Sequence, residues 1–173
     1  AVQKYVDILE KKSQHLKTLT EDLVEASKAS TGNVQIDPVK IDFVELVEQT
    51  NGEFEERFEE RSLTLIPTLP TEPLYIFADG QHLWRVLENL YNNACKYAAA
   101  NSRVYAEVSA EEGFVSFTLK NISASALNIS PEELTERFVR GDRSRTTEGS
   151  GLGLSIAKSL TELQGGSLDI QID

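Results

Sequence analysis

Apolar positions along this chain keep helical time in some stretches and strand time in others. Over 5–26, Tyr5, Leu9, Lys12, Leu16, Leu19, Leu23 and Ala26 follow at alternating spacings of four and three, an a/d stripe that only Lys12 interrupts. So narrow a stripe predicts a bundle or dimerisation helix, with packing inside one domain as the other use for it. Gly32, in STGN, is placed for a left-handed cap. After a strand-like NVQID, Asp42 and Glu45 form a capping box that opens a helix to about residue 61, with Val44, Val47, Phe54 and Phe58 inward. LTLIP then enters a loop punctuated by Pro67, Pro70 and Pro73, and LYIFA reads as a strand. Asp79 caps a helix over about 81–98, in which Leu83, Val86, Leu87, Leu90, Ala94 and Cys95 make a broad buried face.

Alternation resumes over 103–121, two strands around a turn at Gly113. Ser130 caps a short helix with Pro131 at its first position and Glu133 completing a second capping box. Residues 137–148 lack apolar periodicity and are dense in arginine, which predicts a mobile loop. A helix over about 151–164 stops at Gly165 and Gly166, and SLDIQID reads as a closing strand. This order predicts an α/β fold: a two-layer sandwich whose mixed, mostly antiparallel sheet is covered by helices on one face, plus an N-terminal bundle helix. A doubly wound parallel sheet is excluded, because strand and helix do not alternate throughout.

Composition narrows the chemistry. With 17 basic and 28 acidic residues among 173, the net charge is -11, so DNA, RNA or a membrane surface would repel most of the chain, and a phosphate ligand needs a local site. Neither a nucleic acid nor direct membrane contact is expected as a partner. The single cysteine, Cys95, rules out an internal disulfide and suits a reducing cytoplasm. No run approaches the roughly 18 apolar residues of a membrane helix. Ala1 stands where an initiator methionine would, which predicts a piece of a longer protein.

Within LWRVLENLYNNACKYA, Asn89 and Asn93 lie four apart and share a helix face, with Lys96 and Tyr97 a turn beyond. An asparagine oxygen is a hard ligand suited to Mg²⁺, a lysine meets phosphate, and an aromatic ring packs on a base. By periodicity alone the same stripe is equally a solvated face. EGSGLGL spaces Gly149, Gly151 and Gly153 by two, which fits neither a dinucleotide fingerprint nor a P-loop. Its glycines either let backbone N–H groups at a helix start approach phosphate or only turn the chain into the helix.

Taken together, the asparagine helix, a strand ending in a polar residue, ERFVRGD and GSGLGL resemble the catalytic ATP-binding domain of bacterial sensor histidine kinases, of the ATPase superfamily shared with gyrase and MutL. The segment YVDILEKKSQHLKTLTEDLVEASKASTG resembles the second helix of their dimerisation and histidine-phosphotransfer hairpin, which divides the chain into 1–32 and 33–173. The resemblance implies ATP and Mg²⁺ as ligands, with Asn93 on the metal, Asn89 and Lys96 at the phosphates and Tyr97 beside the adenine. Arg140 would reach the γ-phosphate from a lid, and the turn of Gly149, Gly151, Leu152 and Gly153 would close over the phosphates. It further implies a homodimer in the intact protein, a response regulator as partner, and a cytoplasmic location beneath a membrane-anchored sensor.

Two features depart from that pattern. Where the family carries an aspartate that accepts from the adenine amino group, followed by glycine, this chain has Asn121 and no glycine; the amide oxygen still accepts, but without charge. His15 lacks the acidic neighbour and the proline of a phosphoacceptor, so His15 and His82 read as helix-surface residues and the acceptor is expected outside this chain. The rivals are another ATPase or serine kinase of the superfamily, disfavoured by the acidic charge and the bundle helix, and a degenerate interaction module, which Asn121 favours.

Overall fold

The computed structural model describes residues 1–127, 130–136 and 151–173. Along the chain run helix α1 (Val2–Ser30), strand β1 (Val39–Asp42), α2 (Phe43–Glu60), β2 (Thr64–Thr68), β3 (Tyr75–Ala78), α3 (Gly80–Tyr97), β4 (Arg103–Glu111), β5 (Phe114–Asn121), α4 (Pro131–Leu134) and α5 (Gly153–Leu163). Local chemistry sets most of these boundaries. Gly32 at φ +72° follows α1, and Gly113 at φ +91° turns the β4–β5 hairpin. Asp42 accepts from the backbone N–H groups of Val44 at 3.0 Å and Glu45 at 3.4 Å. Ser130 and Glu133 make both arms of the expected capping box at α4.

The sheet is mixed, as expected, and is divided into two ladders among the described residues. β1 pairs antiparallel with β3, while β4 lies between β2, parallel to it, and β5, antiparallel to it. Three readings of the sequence are corrected. The first of these strands is Val39–Asp42, not NVQID: the chain before Pro38 bonds instead to the start of α3, where Asp37 N donates to Asp79 Oδ2 at 2.9 Å. LTLIP is not a loop. Thr64–Thr68 is a strand that pairs on one side only, an edge position that tolerates the missing N–H of Pro67. SLDIQID keeps the burial alternation of a strand, with Leu168, Ile170 and Ile172 half-buried, but joins no ladder among the described residues.

α3 organises the core, because it is buried on two sides. Toward the sheet, Tyr91, Ala94 and Cys95 join Phe54 and Phe58 of α2 and Val104 and Ala106 of β4. Its N-terminal half adds Leu87 beside Phe43, Val47 and Val108. On the other side, Val86 packs with Leu152, Ile156, Ala157 and Leu160 at α5, and with Ala26 and Ala29 from the end of α1. Tyr91 is fully buried, stacked between Phe58 and Phe117 at centroid distances of 5.9 and 6.1 Å, and its hydroxyl donates to Asn51 Oδ1. Burial pushes the phenol's pKa up, so it stays neutral and keeps that donor. Among the described residues no helix is long and apolar enough to cross a membrane.

Asp79 joins three segments. Its carboxylate accepts from Asp37 N, Gln81 N and His82 N, and its own N–H donates to Gln164 Oε1 at 2.8 Å, at the end of α5. The bond from Asp37 is the chief cause that holds its pKa below the ordinary 3.8, against burial, which acts to raise it. Its contribution to stability is therefore complete above pH 3.8 and is lost as pH falls through the lower, folded-state pKa. Asp79→Asn, which removes the charge and one acceptor, is expected to lower stability at neutral pH and to flatten the acid side of the profile below about pH 4. Urea unfolding at pH 7 and in steps toward pH 3 checks this; a variant whose acid slope equals the wild type's contradicts it.

Candidate functional site

The two motifs singled out in the sequence meet where α3 passes the start of α5. Asn89 is buried at 7% exposure, between the apolar sides of its helix, and among the described residues its Nδ2 has no hydrogen-bond partner. Gly153 opens α5 directly against it: a Cβ there would lie 3.3 Å from Asn89 Oδ1. No side chain caps α5, so its first N–H groups and the positive end of its dipole adjoin a buried amide that still has a proton to donate. This constellation suits an anionic ligand rich in oxygen acceptors.

The remaining predicted residues fall into groups. Asn93 and Lys96 continue the Asn89 face of α3 at i+4 and i+7, both half-buried. Tyr97, also half-buried, ends α3, and its carbonyl accepts from Ala124 N at 2.8 Å, while Ala99 N donates to the Ile122 carbonyl at 2.8 Å. These bonds fix the segment after β5 to the end of α3, so exposed Asn121 and Tyr97 occupy the same end of the site. Gly151 has φ +73°, a left-handed conformation that favours glycine. Leu152 differs in kind: its side chain is fully buried in the cluster between α1, α3 and α5, and its carbonyl accepts from Ile156 N and from Ser155 Oγ, both at 2.9 Å. Arg140 and Gly149 lie outside the described residues.

Comparison with known proteins decides the family. A family described as histidine kinase-, DNA gyrase B- and HSP90-like ATPase matches residues 78–173, which hold α3, the hairpin, α4 and α5. The chain belongs to this ATPase family. BaeS of Escherichia coli strain K12, a signal transduction histidine-protein kinase, is 29% identical over 155 residues, 88% of this chain and 33% of BaeS. Full-length ShkA, solved in complex with AMPPNP, matches at 25% identity and a TM-score of 0.79, over 99% of this chain and 36% of ShkA. ThkA, solved in complex with the response regulator protein TrrA, shares the fold at 22% identity and a TM-score of 0.70, over 98% of this chain and 47% of ThkA. The chain spans about a third of the length of the curated relatives it matches.

Sequence reasoning missed two residues that brace α3 beside this candidate site. Arg61 donates to the carbonyls of Cys95 at 3.0 Å and Lys96 at 3.4 Å, closing the end of α3 from α2. Arg85 stands one turn before Asn89 on the same face and binds Glu88 and two acids of α1. Only its place in the amide stripe signalled it. His82, read as solvated, is half-buried, and its Nε2 lies 3.0 Å from the Gln35 carbonyl.

A buried amide donor without a partner costs stability that a ligand would recover. Asn89→Leu keeps the branched shape and removes that donor, so it is expected to raise the stability of the ligand-free chain by about 1 kcal/mol while abolishing nucleotide binding. Thermal unfolding with and without nucleotide reads both effects; a less stable variant would contradict the account.

Proposed function

We propose that this chain is the ATP-binding catalytic core of a two-component sensor histidine kinase, and that residues 1–32 are part of its dimerisation and phosphotransfer hairpin. The observation that carries this is Gly153 seated against Asn89, whose unpartnered amide lies beside the uncapped start of α5. The names of its relatives supply the reaction class. Of the expected groups, those at the phosphate end fit a nucleotide triphosphate: Asn89 and the α5 N–H groups donate to phosphate oxygens, Lys96 adds a positive charge, and Asn93 offers its oxygen to Mg²⁺. The metal, when bound, neutralises charge on the phosphates; the chain's own residues orient them. At the other end, Tyr97 flanks the adenine, and Asn121 accepts from its amino group.

In this reading a histidine nitrogen on the hairpin, outside this chain, takes the γ-phosphoryl while the bond to the β–γ bridging oxygen breaks and ADP leaves. A response regulator then takes the phosphoryl group onto an aspartate, and the intact protein is a homodimer anchored at the membrane, with this core in the cytoplasm. Support for dimerisation comes from α1, where Tyr5, Leu9, Leu16 and Leu23 of the a/d stripe remain exposed. Arg140 is proposed to act on the γ-phosphate from the lid, together with the backbone of Gly149 and Gly151.

Calorimetric titration with Mg²⁺ and AMPPNP tests the reading directly. Saturable binding, weakened by Mg²⁺ removal and by Asn93→Ala, is expected; no heat at millimolar nucleotide would overturn it. The lid role has its own test, phosphotransfer to a histidine-bearing hairpin supplied in trans. Arg140→Ala is expected to slow transfer by about a hundredfold or more while leaving nucleotide affinity within about threefold. Equal losses in the two assays would contradict a role specific to the transferred group.

A further inference from the structure

α1 is held to the rest of the chain by very little apolar contact. Its buried residues are Ala26 and Ala29, both in its last two turns. What fixes its direction is ionic. The Arg85 guanidinium of α3 donates from Nε to both carboxylate oxygens of Glu25 at 3.0 Å, and from Nη2 to Glu25 at 2.8 Å and Asp22 at 3.1 Å. Its remaining arm, Nη1, donates to Glu88 at 2.9 Å, within α3. All five donors of a planar guanidinium have a fixed direction, so a fork engaged this way sets the angle of α1 as well as its distance. Burial acts to lower the arginine's pKa, but the bonds and charges of Glu25 and then Glu88 outweigh it and raise it, so the cation persists at any physiological pH.

The surroundings provide a pivot. Past the end of α1, Asp37 N is fixed on Asp79 and the Gln35 carbonyl lies at His82, so the far end of the linker is anchored to the start of α3, while at its near end Asn33 N donates to the Lys28 carbonyl of α1 at 2.9 Å. Between that anchor and α1 lies Gly32 at φ +72°, with nothing within 4 Å of where a Cβ would stand. The ion cluster is only partly shielded: the side chains of Arg85, Asp22 and Glu25 are 24%, 17% and 30% exposed. Such a pairing is strong enough to orient a helix and open enough to yield to salt or to a competing charge.

We propose that Arg85 with Asp22 and Glu25 is an electrostatic latch that holds α1 against the α3–α5 face, and that α1 swings about Gly32 when the latch opens. Arg85 is thus a positioning residue: it sets where α1 lies relative to Asn89, one turn along the same helix face. That α1 presents a phosphotransfer hairpin rests on the reading above; the latch itself does not.

The test places spin labels on α1 and α2 through Ser13→Cys and Glu48→Cys, both exposed positions, diluted with unlabelled chain, and measures the distance distribution by pulsed electron resonance. A narrow distribution is expected for the otherwise unaltered chain, broadening roughly twofold in Arg85→Ala and in Glu25→Gln, and in the unaltered chain on raising salt from about 0.05 M to about 1 M. Arg85→Lys, a point charge without the fork, is expected to fall between. Glu25→Gln keeps the size of a half-buried side chain and carries the test should Arg85→Ala fail to fold by circular dichroism. Distributions that stay equally narrow in the variants and at high salt overturn the latch. A broad distribution in the unaltered chain at low salt does so too. No nucleotide enters this measurement, so the failure of the latch and the failure of the nucleotide reading are separate results.

Discussion

A single helix bears the conflicting demands of this fold. α3 must bury Tyr91, Ala94 and Cys95 toward the sheet and Val86 toward α5, yet Asn89, with polar ends and no partner for its Nδ2, is buried between those faces. An unsatisfied amide inside a core is a cost the fold carries permanently in the ligand-free chain. It is sustained because the apolar contacts on both sides fix α3 so firmly that the helix cannot turn Asn89 out to water. The stacked ring of Tyr91, wedged between α2 and β5, shows how little freedom of rotation remains. Strain of this kind, over-determined by its surroundings, is what a preorganised binding site looks like before its ligand arrives.

From that constraint the neighbouring elements follow. α5 approaches closely because it begins with glycine; a methyl group at 153 would press on the Asn89 amide. Leu152, just before α5, and Ile156 within it are fully buried beside Val86 and hold the start of α5 in place; among the described residues no side chain caps it. At the far end, Arg61 closes the last carbonyls of α3, and the segment after β5 is bonded across to Tyr97 and Ala99. The C-terminal end of α3 is thus finished by residues distant in sequence.

What could be read from the sequence is what local physics determines. The caps at Asp42, Asp79 and Ser130, the Gly113 turn and the helical faces around Val47 and Leu87 depend on residues within a few positions of one another. The misread segments depend on partners elsewhere. Thr64–Thr68 carries a proline and becomes a strand because β4 offers a parallel edge, and 33–37 keeps its burial alternation but joins no ladder among the described residues, with Asp37 N bonded to Asp79. The same distinction holds at the site. The spacing of Asn89, Asn93 and Lys96 fixed a common face, but that Asn89 is buried and that Arg85 faces α1 are facts of α3's packing against α1 and α5, which no periodicity contains. Leu152, placed with the glycines by its position in the motif, is a core residue.

The charge balance bears on how such a site could hold phosphates at all. The chain carries a net charge of -11, and Arg85, the cation nearest Asn89 along the helix face, is committed to Asp22, Glu25 and Glu88. A triphosphate arriving there meets three carboxylates one turn away, and Arg85's single charge does not cancel them. On the proposed reading this excess of negative charge explains the division of labour. Uncharged donors, the Asn89 amide and the N–H groups of α5, provide direction without adding to the field, and neutralisation falls to Lys96, to a divalent metal on Asn93 and to the arginine of the lid. Binding is then coupled to the arrival of a divalent metal, because Lys96 alone does not offset the carboxylates around it.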